Sequence, residues 1–413
     1  MAKKEHIVVG LDIGTTKICA IVAQVTPDEG VNIIGVGSSP SRGLRKGIVV
    51  NIDSTVESIK KAVEEAELMA AVQINSVYIG IAGSHIASQT VKGVVALKRN
   101  EVFRGDVLRA VETAKASAVV PPDRQVLHVL PREFIVDDQE GIQEPVGISG
   151  ARLEVDVHIV TGAIPPAKNL MKCVNRAGLD VVGIVLQPLA SSEAVLTDEE
   201  KGLGIAMVDL GGGTTDLAIF SDGTICHSAV LPVGGQHITT DLQIGLRTSL
   251  ADAEEIKVRY GSALVSMVKE TEVVEVPSVG GRPPHPMSRR EIAEIIQPRV
   301  EEIFELVLRE IYRSGYEGKL AAGVVITGGT SMLEGMPDAA ELVLDLPGRR
   351  GVPYNVGGLL DIVRNPMFST GVGLILQAYR TDHEFEFVGG SKKAGSGLGG
   401  VFGRMKSWVL NLF

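Results

Sequence analysis

An α/β protein of two lobes is expected here, with a small α+β domain inserted into the first lobe and an amphipathic helix at the C-terminal end. The chain has 413 residues, 45% of them hydrophobic, which is more than one continuous core accommodates, so at least two cores are expected. One device is written twice. "VVGLDIGTTKICAIVA" from Val8 and "MVDLGGGTTDLAIF" from Met207 each run an apolar strand up to an aspartate, turn through glycine and threonine, and resume as an apolar strand. Between the two copies, residues 85–162 change texture, with a helical pattern set among strands.

In the first lobe, residues 1–84 and 163–197, the turn at Gly14 to Thr16 is too short for anything but a hairpin. That sets it apart from the loops G-x-x-x-x-G-K-[ST] and G-x-G-x-x-G, which lead from a strand into a helix. A third strand is expected at "GIVVNI". A helix capped by Asp53 follows, with Val56, Ile59, Val63, Ala66 and Ala70 at helical spacing, and then the buried strand "SVYIGIAGS". The insert, residues 85–162, holds the strands "VKGVVALKR", "QVLHVLPREFIV" and "ARLEVDVHIVTG" and a helix starting near Asp106. "PPAKNLMKCVNRAGL" then gives a helix ending at Gly178, "DVVGIVLQP" a strand and "LASSEAVL" a helix.

The second lobe, residues 198–240 and 299–388, repeats the hairpin and adds the return strand "ICHSAVLPVGG". Residues 241–298 form a helical subdomain with the loop "VPSVGGRPPHPMS". Pro298 is expected to kink or interrupt the amphipathic helix "RREIAEIIQPRVEEIFELVLREIY". "GVVITGGTSMLEGM" reads as strand, glycine turn and helix, and the ordered part is expected to end near Val388.

Residues 389–397 are a flexible linker by composition. In residues 398–413, Leu398, Val401, Phe402, Met405, Trp408, Val409 and Leu412 form one apolar stripe at three- and four-residue steps, with Arg404 and Lys406 off it. No acid follows Glu386, whereas Lys392, Lys393, Arg404 and Lys406 are basic. The segment is too short to span a bilayer and suits lying in an anionic membrane surface; the alternative is a terminal helix docked on its own core or on a partner.

Composition narrows the function. A net charge of −10 argues against nucleic acid as the main partner. The three cysteines lie far apart in apolar contexts, and the eight histidines show no H-E-x-x-H spacing, so neither a disulfide framework nor a transition-metal enzyme is expected. No signal-peptide layout and no run of 18 apolar residues occurs, which fits a cytosolic chain unless something other than a spanning helix holds it to a membrane.

The two hairpin turns offer backbone N–H groups and threonine hydroxyls that can grip phosphate oxygens from opposite sides of a cleft. Asp12 and Asp209 stand where a hydrated Mg²⁺ bridging those phosphates needs oxygen ligands. The bland alternative for each string is a tight turn with Asp and Gly in their usual places.

"GLDIGTTK", "VDLGGGTTD" and "ITGGTSMLEG" resemble the two phosphate motifs and the adenosine motif of the actin, Hsp70 and sugar-kinase superfamily. Nearly the whole chain is similar to the FtsA family of bacterial division proteins, through "GSHIASQ", "ADAEEIKVRYG", "VPSVGGRPP" and the C-terminal segment. The resemblance implies an actin-like fold: two ribonuclease-H-like lobes with ATP and Mg²⁺ between them, an insert called 1C and a subdomain 2B at residues 241–298. It implies that Gly14, Thr15, Thr16, Lys17, Gly211, Gly212, Gly213 and Thr214 hold phosphates. Gly235, Glu254, Lys257, Gly328, Gly329 and Met332 would surround the nucleoside. Glu254 and Lys257 also fit an ordinary i,i+3 helix pair. Gln187 stands where Hsp70 relatives carry a glutamate and is more like actin's glutamine. An amide orients a water but cannot take its proton, so slow hydrolysis at best is expected.

The resemblance further implies a protein that polymerises at the cytoplasmic side of the cell membrane at the division site. There it would tether FtsZ filaments by their C-terminal peptide and recruit later division proteins. Self-contacts would run along the lobes and 1C, with the peptide on 2B. Arg289, Arg290 and Arg299 are candidate partners for an acidic peptide, the alternative being a solvated helix face. Two other readings remain: a pilus-assembly adaptor of the PilM type, which the tail and "VPSVGGRPP" argue against, and an enzyme of the sugar-kinase or exopolyphosphatase branch, which needs an acceptor pocket the sequence does not display.

Overall fold

The computed structural model describes residues 6–26 and 30–387. The first lobe opens with β1 (His6–Ile13), β2 (Lys17–Thr26) and β3 (Gly30–Pro40), an antiparallel run in which Ile13 faces Ile18 across the turn. A two-rung hairpin, β4 (Leu44–Arg45) and β5 (Ile48–Val49), leads to α1 (Ile52–Ala70) and β6 (Ser76–Ile81). The insert is β7 (Ile86–Ala96), α2 (Arg104–Ser117), β8 (Arg124–Val136), β9 (Gln139–Ile142) and β10 (Arg152–Ala163), a sheet of order β7-β10-β8-β9 with its own core under α2. The chain returns through α3 (Ile164–Arg176), β11 (Asp180–Leu186) and α4 (Gln187–Val195).

After α5 (Asp198–Leu203), the second lobe lays down β12 (Ile205–Leu210), β13 (Thr215–Ser221) and β14 (Thr224–Leu231). Then come α6 (Gly235–Leu246), α7 (Leu250–Tyr260), the hairpin of β15 (Val273–Val276) and β16 (His285–Ser288), and α8 (Arg289–Ser314). β17 (Val324–Thr327), α9 (Met336–Leu344), β18 (Gly348–Arg350), β19 (Gly357–Gly358), α10 (Leu360–Val363) and α11 (Ser369–Phe387) complete the described chain.

The two main sheets repeat one scheme. β1 pairs antiparallel with β2 and parallel with β6; β12 pairs antiparallel with β13 and parallel with β17. Each lobe buries one sheet face under its own helices. In the first, Leu11, Ile18, Ala20 and Val22 meet Ile59, Ala62 and Ala66 of α1 and Cys173 and Val174 of α3. In the second, Val208, Leu210 and Leu217 meet Ile238, Leu242, Ile296 and Phe304. The other faces share a core: Cys19, Ile21 and Ala23 join Met207, Ala218 and Val325 through Ala194 and Val195 of α4 and Val372 and Ile375 of α11.

Three expectations need correction. The third strand is Gly30–Pro40, not "GIVVNI", which supplies only β5 of the small hairpin. Asn51 caps α1 by accepting a hydrogen bond from the Ser54 N–H, and Asp53 lies in the first turn, where it complements the helix dipole. Pro298 does not interrupt α8, which runs as one helix from Arg289 to Ser314. Ile292, Ala293, Ile296, Val300, Ile303, Phe304 and Val307 are buried along it, and that packing outweighs the roughly 3 kcal/mol a mid-helix proline costs. A subdomain boundary at 298/299 therefore falls inside a single element. The linker at 389–397 and the stripe from Leu398 to Leu412, with Arg404 and Lys406, lie outside the described residues.

Candidate functional site

Where the two hairpins meet, their turns are built alike. Gly14 N–H donates to the Lys17 carbonyl at 3.0 Å, and Gly211 N–H to the Thr214 carbonyl at 3.0 Å. The tips press on each other: a Cβ on Gly213 would sit 2.7 Å from Thr15 Oγ1, and one on Gly212 would overlap the Thr16 side chain. Glycine is needed here for close approach, since any side chain would push the lobes apart. Thr15 Oγ1 also accepts from Gly47 N–H at 3.1 Å.

Three carboxylates gather behind the tips. Asp12, half-buried at the end of β1, accepts a hydrogen bond from Gln187 Nε2 at 3.1 Å. Burial pushes its carboxyl up to about 6; Lys17 pulls it down and Asp209 pushes it further up. Asp209 is buried, and its Oδ2 accepts from Ser191 Oγ at 2.6 Å and from Thr370 Oγ1 at 3.3 Å. Burial raises its pKa as well, against the two hydroxyl bonds and Lys17. Asp216, opposite Asp209 in the β12–β13 register, accepts from Thr214 Oγ1 at 3.1 Å through Oδ2. Its Oδ1 has no partner among the described residues, and burial together with Asp209 holds its pKa well above the ordinary carboxylate range. Adjacent acids whose pKa values burial raises, one with an orphaned oxygen, fit a hard cation with oxygen ligands.

The nucleoside candidates form a second cluster on the second lobe. Gly235 N–H donates to the Gly211 carbonyl at 3.0 Å, and Thr330 Oγ1 donates to the same oxygen at 3.0 Å, tying the glycine turn after β17 to the second hairpin. Gly328, at φ +83°, packs so tightly that a Cβ would overlap Asp209 Oδ1. Lys257 Nζ donates to Glu254 Oε2 at 2.7 Å, Thr239 Oγ1 at 2.9 Å and the Gly235 carbonyl at 3.2 Å. The pair is thus an i,i+3 helix pair that also binds the start of α6. Gly329 opens the short helix that Met332 closes, and Met332 is 45% exposed.

The remaining sites are less uniform. Lys17 does not lie along its own turn: its ammonium donates to the Met367 carbonyl and stands 4.2 Å from the Phe368 ring centroid. The three arginines are already paired. Arg289, with only 17% of its side chain exposed, binds Glu272 at 2.8 Å and the Tyr260 carbonyl within residues 241–298 and Glu334 beyond them, which makes it a pin between that segment and the rest of the second lobe. Arg299 holds Asp241 at 2.6 Å and Glu302, and Arg290, the most exposed of the three, binds Glu270 at 2.7 Å. The sequence reading missed Asp216, Ser191, Thr370, Thr239 and Thr330. Asp216 closes the same quoted string as Asp209, and hairpin register would have found it; the others meet the site only through long-range packing.

The family model for cell division protein FtsA matches residues 206–373, and that for the SHS2 domain inserted in FtsA matches residues 83–161. The chain is 48% identical over 409 residues to cell division protein FtsA of Pseudomonas aeruginosa, covering 98% of each. It is 46% identical over 415 residues to that of Neisseria meningitidis, covering 100% of each. Against that of Escherichia coli it is 43% identical over 419 residues, covering 100% of this chain and 99% of the relative. Among solved structures, a PilM-PilN type IV pilus biogenesis complex aligns with TM-score 0.66 at 17% identity, over 90% of this chain and 98% of that one. MreB5 of Spiroplasma citri bound to ADP aligns with TM-score 0.57 at 15% identity, over 93% and 99%. These two share the fold alone, an actin-like pair of lobes, so the pilus alternative keeps only a likeness of architecture. Relatives matched end to end at 43% identity or more decide the question, and the chain belongs to the FtsA family of cell division proteins.

Proposed function

We propose that the cleft between the two hairpins binds ATP with Mg²⁺, and that the loaded protein polymerises on the cytoplasmic face of the cell membrane, where it tethers FtsZ filaments at the division site. One observation carries the nucleotide reading: two like-built turns touch tip to tip in front of three mutually repelling carboxylates. Such an arrangement costs stability until a cation and phosphates balance it.

In this reading Gly14, Thr15, Thr16 and Lys17 hold phosphate from the first lobe, and Gly211, Gly212, Gly213 and Thr214 from the second. Asp12 and Asp209 would hold the cation. Mg²⁺, when bound, neutralises phosphate charge and joins the two lobes electrostatically. Lys17, which donates to the Met367 carbonyl, would supply the cationic partner for phosphate from the first lobe. Gly235, Glu254, Lys257, Gly328, Gly329 and Met332 line the nucleoside end. Gln187 donates one amide hydrogen to Asp12, which leaves its oxygen and its second N–H to orient a water. The Gln187 amide cannot itself take the water's proton, and slow turnover is expected accordingly.

The basic, apolar-striped segment from Leu398 to Leu412 supplies the membrane attachment. An acidic FtsZ peptide is assigned to residues 241–298, with Arg290 the most accessible of the three arginines; the 1C insert and the lobes supply self-contacts. Co-sedimentation with anionic liposomes, with and without Mg-ATP, tests the reading by comparing the full chain with a version ending at Gly390. The full chain pellets with lipid, more so with Mg-ATP, and the shortened one stays in the supernatant. Equal behaviour of the two would rule out the tail as the anchor, and indifference to Mg-ATP would rule out nucleotide-dependent assembly.

A further inference from the structure

α4 lies between the lobes. It packs on β6 and β11 of the first sheet and on β12, β13 and β17 of the second. Gln187 and Ser191 stand one turn apart along it, at i and i+4, and so share a face. Gln187 Nε2 donates to Asp12 Oδ1 at 3.1 Å, and Ser191 Oγ donates to Asp209 Oδ2 at 2.6 Å. Thr370, in the first turn of α11, adds a second hydroxyl to the same Asp209 oxygen at 3.3 Å and lies 3.0 Å from Ser191 Oγ. Ser191 is 0% exposed and Thr370 is buried. The two carboxylates belong to different lobes, yet one helical face reaches both.

We propose that α4 fixes the spacing and orientation of the two cation-side carboxylates, with Ser191 and Thr370 as the positioning residues that hold Asp209 by one oxygen while Gln187 holds Asp12. This rests on the nucleotide reading of the cleft. A hydroxyl bonded to a buried carboxylate is also what stability alone requires. The discriminating property is the dependence of ATP binding on Mg²⁺, because a misaimed Asp209 would weaken the hold on the cation while the two hairpin turns keep their own hydrogen bonds.

The experiment is equilibrium binding of radiolabelled ATP by the full chain, in Mg²⁺ and in EDTA, for wild type, Ser191→Ala, Thr370→Val and Thr370→Ser. Thr370→Val keeps the side-chain shape and removes the hydroxyl; Thr370→Ser keeps the hydroxyl. Ser191→Ala and Thr370→Val each weaken binding in Mg²⁺ by about tenfold, the scale of one lost hydrogen bond to a charged group. Both keep wild-type affinity in EDTA, and Thr370→Ser restores the Mg²⁺ response. Circular dichroism checks folding, and if Ser191→Ala does not fold, the two Thr370 variants decide. Folded variants with wild-type Mg²⁺ dependence, or with equal losses in Mg²⁺ and EDTA, overturn the positioning role. A wild type whose ATP binding ignores Mg²⁺ overturns the cation reading itself.

Discussion

In the nucleotide reading, Asp12 trades stability for binding. Its carboxyl is raised from 3.8 to about 6, chiefly by burial. An acid that holds its proton longer when folded makes the native state lose stability as pH rises through the window between those two values, and the loss persists above it. In the ligand-free protein, Asp12→Asn therefore raises the thermal midpoint near pH 7.5, and the gain shrinks toward zero as pH falls to about 4. With Mg-ATP present the order reverses, because the wild-type carboxylate then has its counter-charge. Melting curves across that range check both signs; a variant less stable than wild type at pH 7.5 without ligand would mean that Lys17 and Gln187 already satisfy the charge. Asp12, Asp209 and the glycines were legible because hairpin grammar is local. Ser191 and Thr370 were not, since a buried serine and a threonine at a helix start carry no pattern until the chain folds them onto Asp209.

α4 and α11 cross at glycine. A Cβ on Gly373 would overlap the carbonyl oxygen and carbonyl carbon of Ala190, so the two helices touch backbone to backbone. Gly373→Ala forces them apart in the middle of the core the lobes share, and overpacking of this kind costs about 1–3 kcal/mol. Because Ala190 adjoins Ser191, the shift is also felt at Asp209. Urea unfolding is expected to show a lower midpoint at unchanged slope, with weaker ATP binding alongside; an unaltered midpoint would mean that α11 has room to slide. Close glycine contacts also explain the missed strand. β3 reads "GVNIIGVGSSP", and Gly35 and Gly37 lie so close to Ala62, Ala66 and Ala70 of α1 that a Cβ at either would collide. The glycines interrupt the run of β-branched Val31, Ile33, Ile34 and Val36, whereas the shorter "GIVV" is unbroken. α8 errs in the opposite direction: Pro298 is a strong local breaker, and only tertiary burial overrides it.

The insert ties the lobes together a second time. It grows from the first lobe, yet β7, β8 and β10 rest on β14 of the second. Ser88 Oγ donates to the Ser228 carbonyl at 2.9 Å, and His158 Nε2 lies 3.1 Å from Ser228 Oγ. The Gln143 amide donates to the Asp222 carbonyl. Arg132 reaches Cys226 Sγ at 3.2 Å and the Tyr316 hydroxyl, with its guanidinium 5.6 Å from the Tyr316 ring. Burial lowers the His158 pKa to about 3, with His227, Arg132 and His128 pushing the same way, so the seam is uncharged at that residue at neutral pH. Arg132 brings a positive charge into the seam. Arg132→Ala removes three contacts and leaves Tyr316 OH without this donor, at a cost of about 1–3 kcal/mol. If the insert is a strap, that loss is local: hydrogen exchange should quicken in β8 and β14 and stay slow in β1 and β2, whose core lies across the lobe under α1 and α3. Uniform quickening would instead make Arg132 an ordinary contributor to global stability. No change at all would mean that Arg132 adds nothing to a seam that the Ser88, Gln143 and His158 contacts already hold.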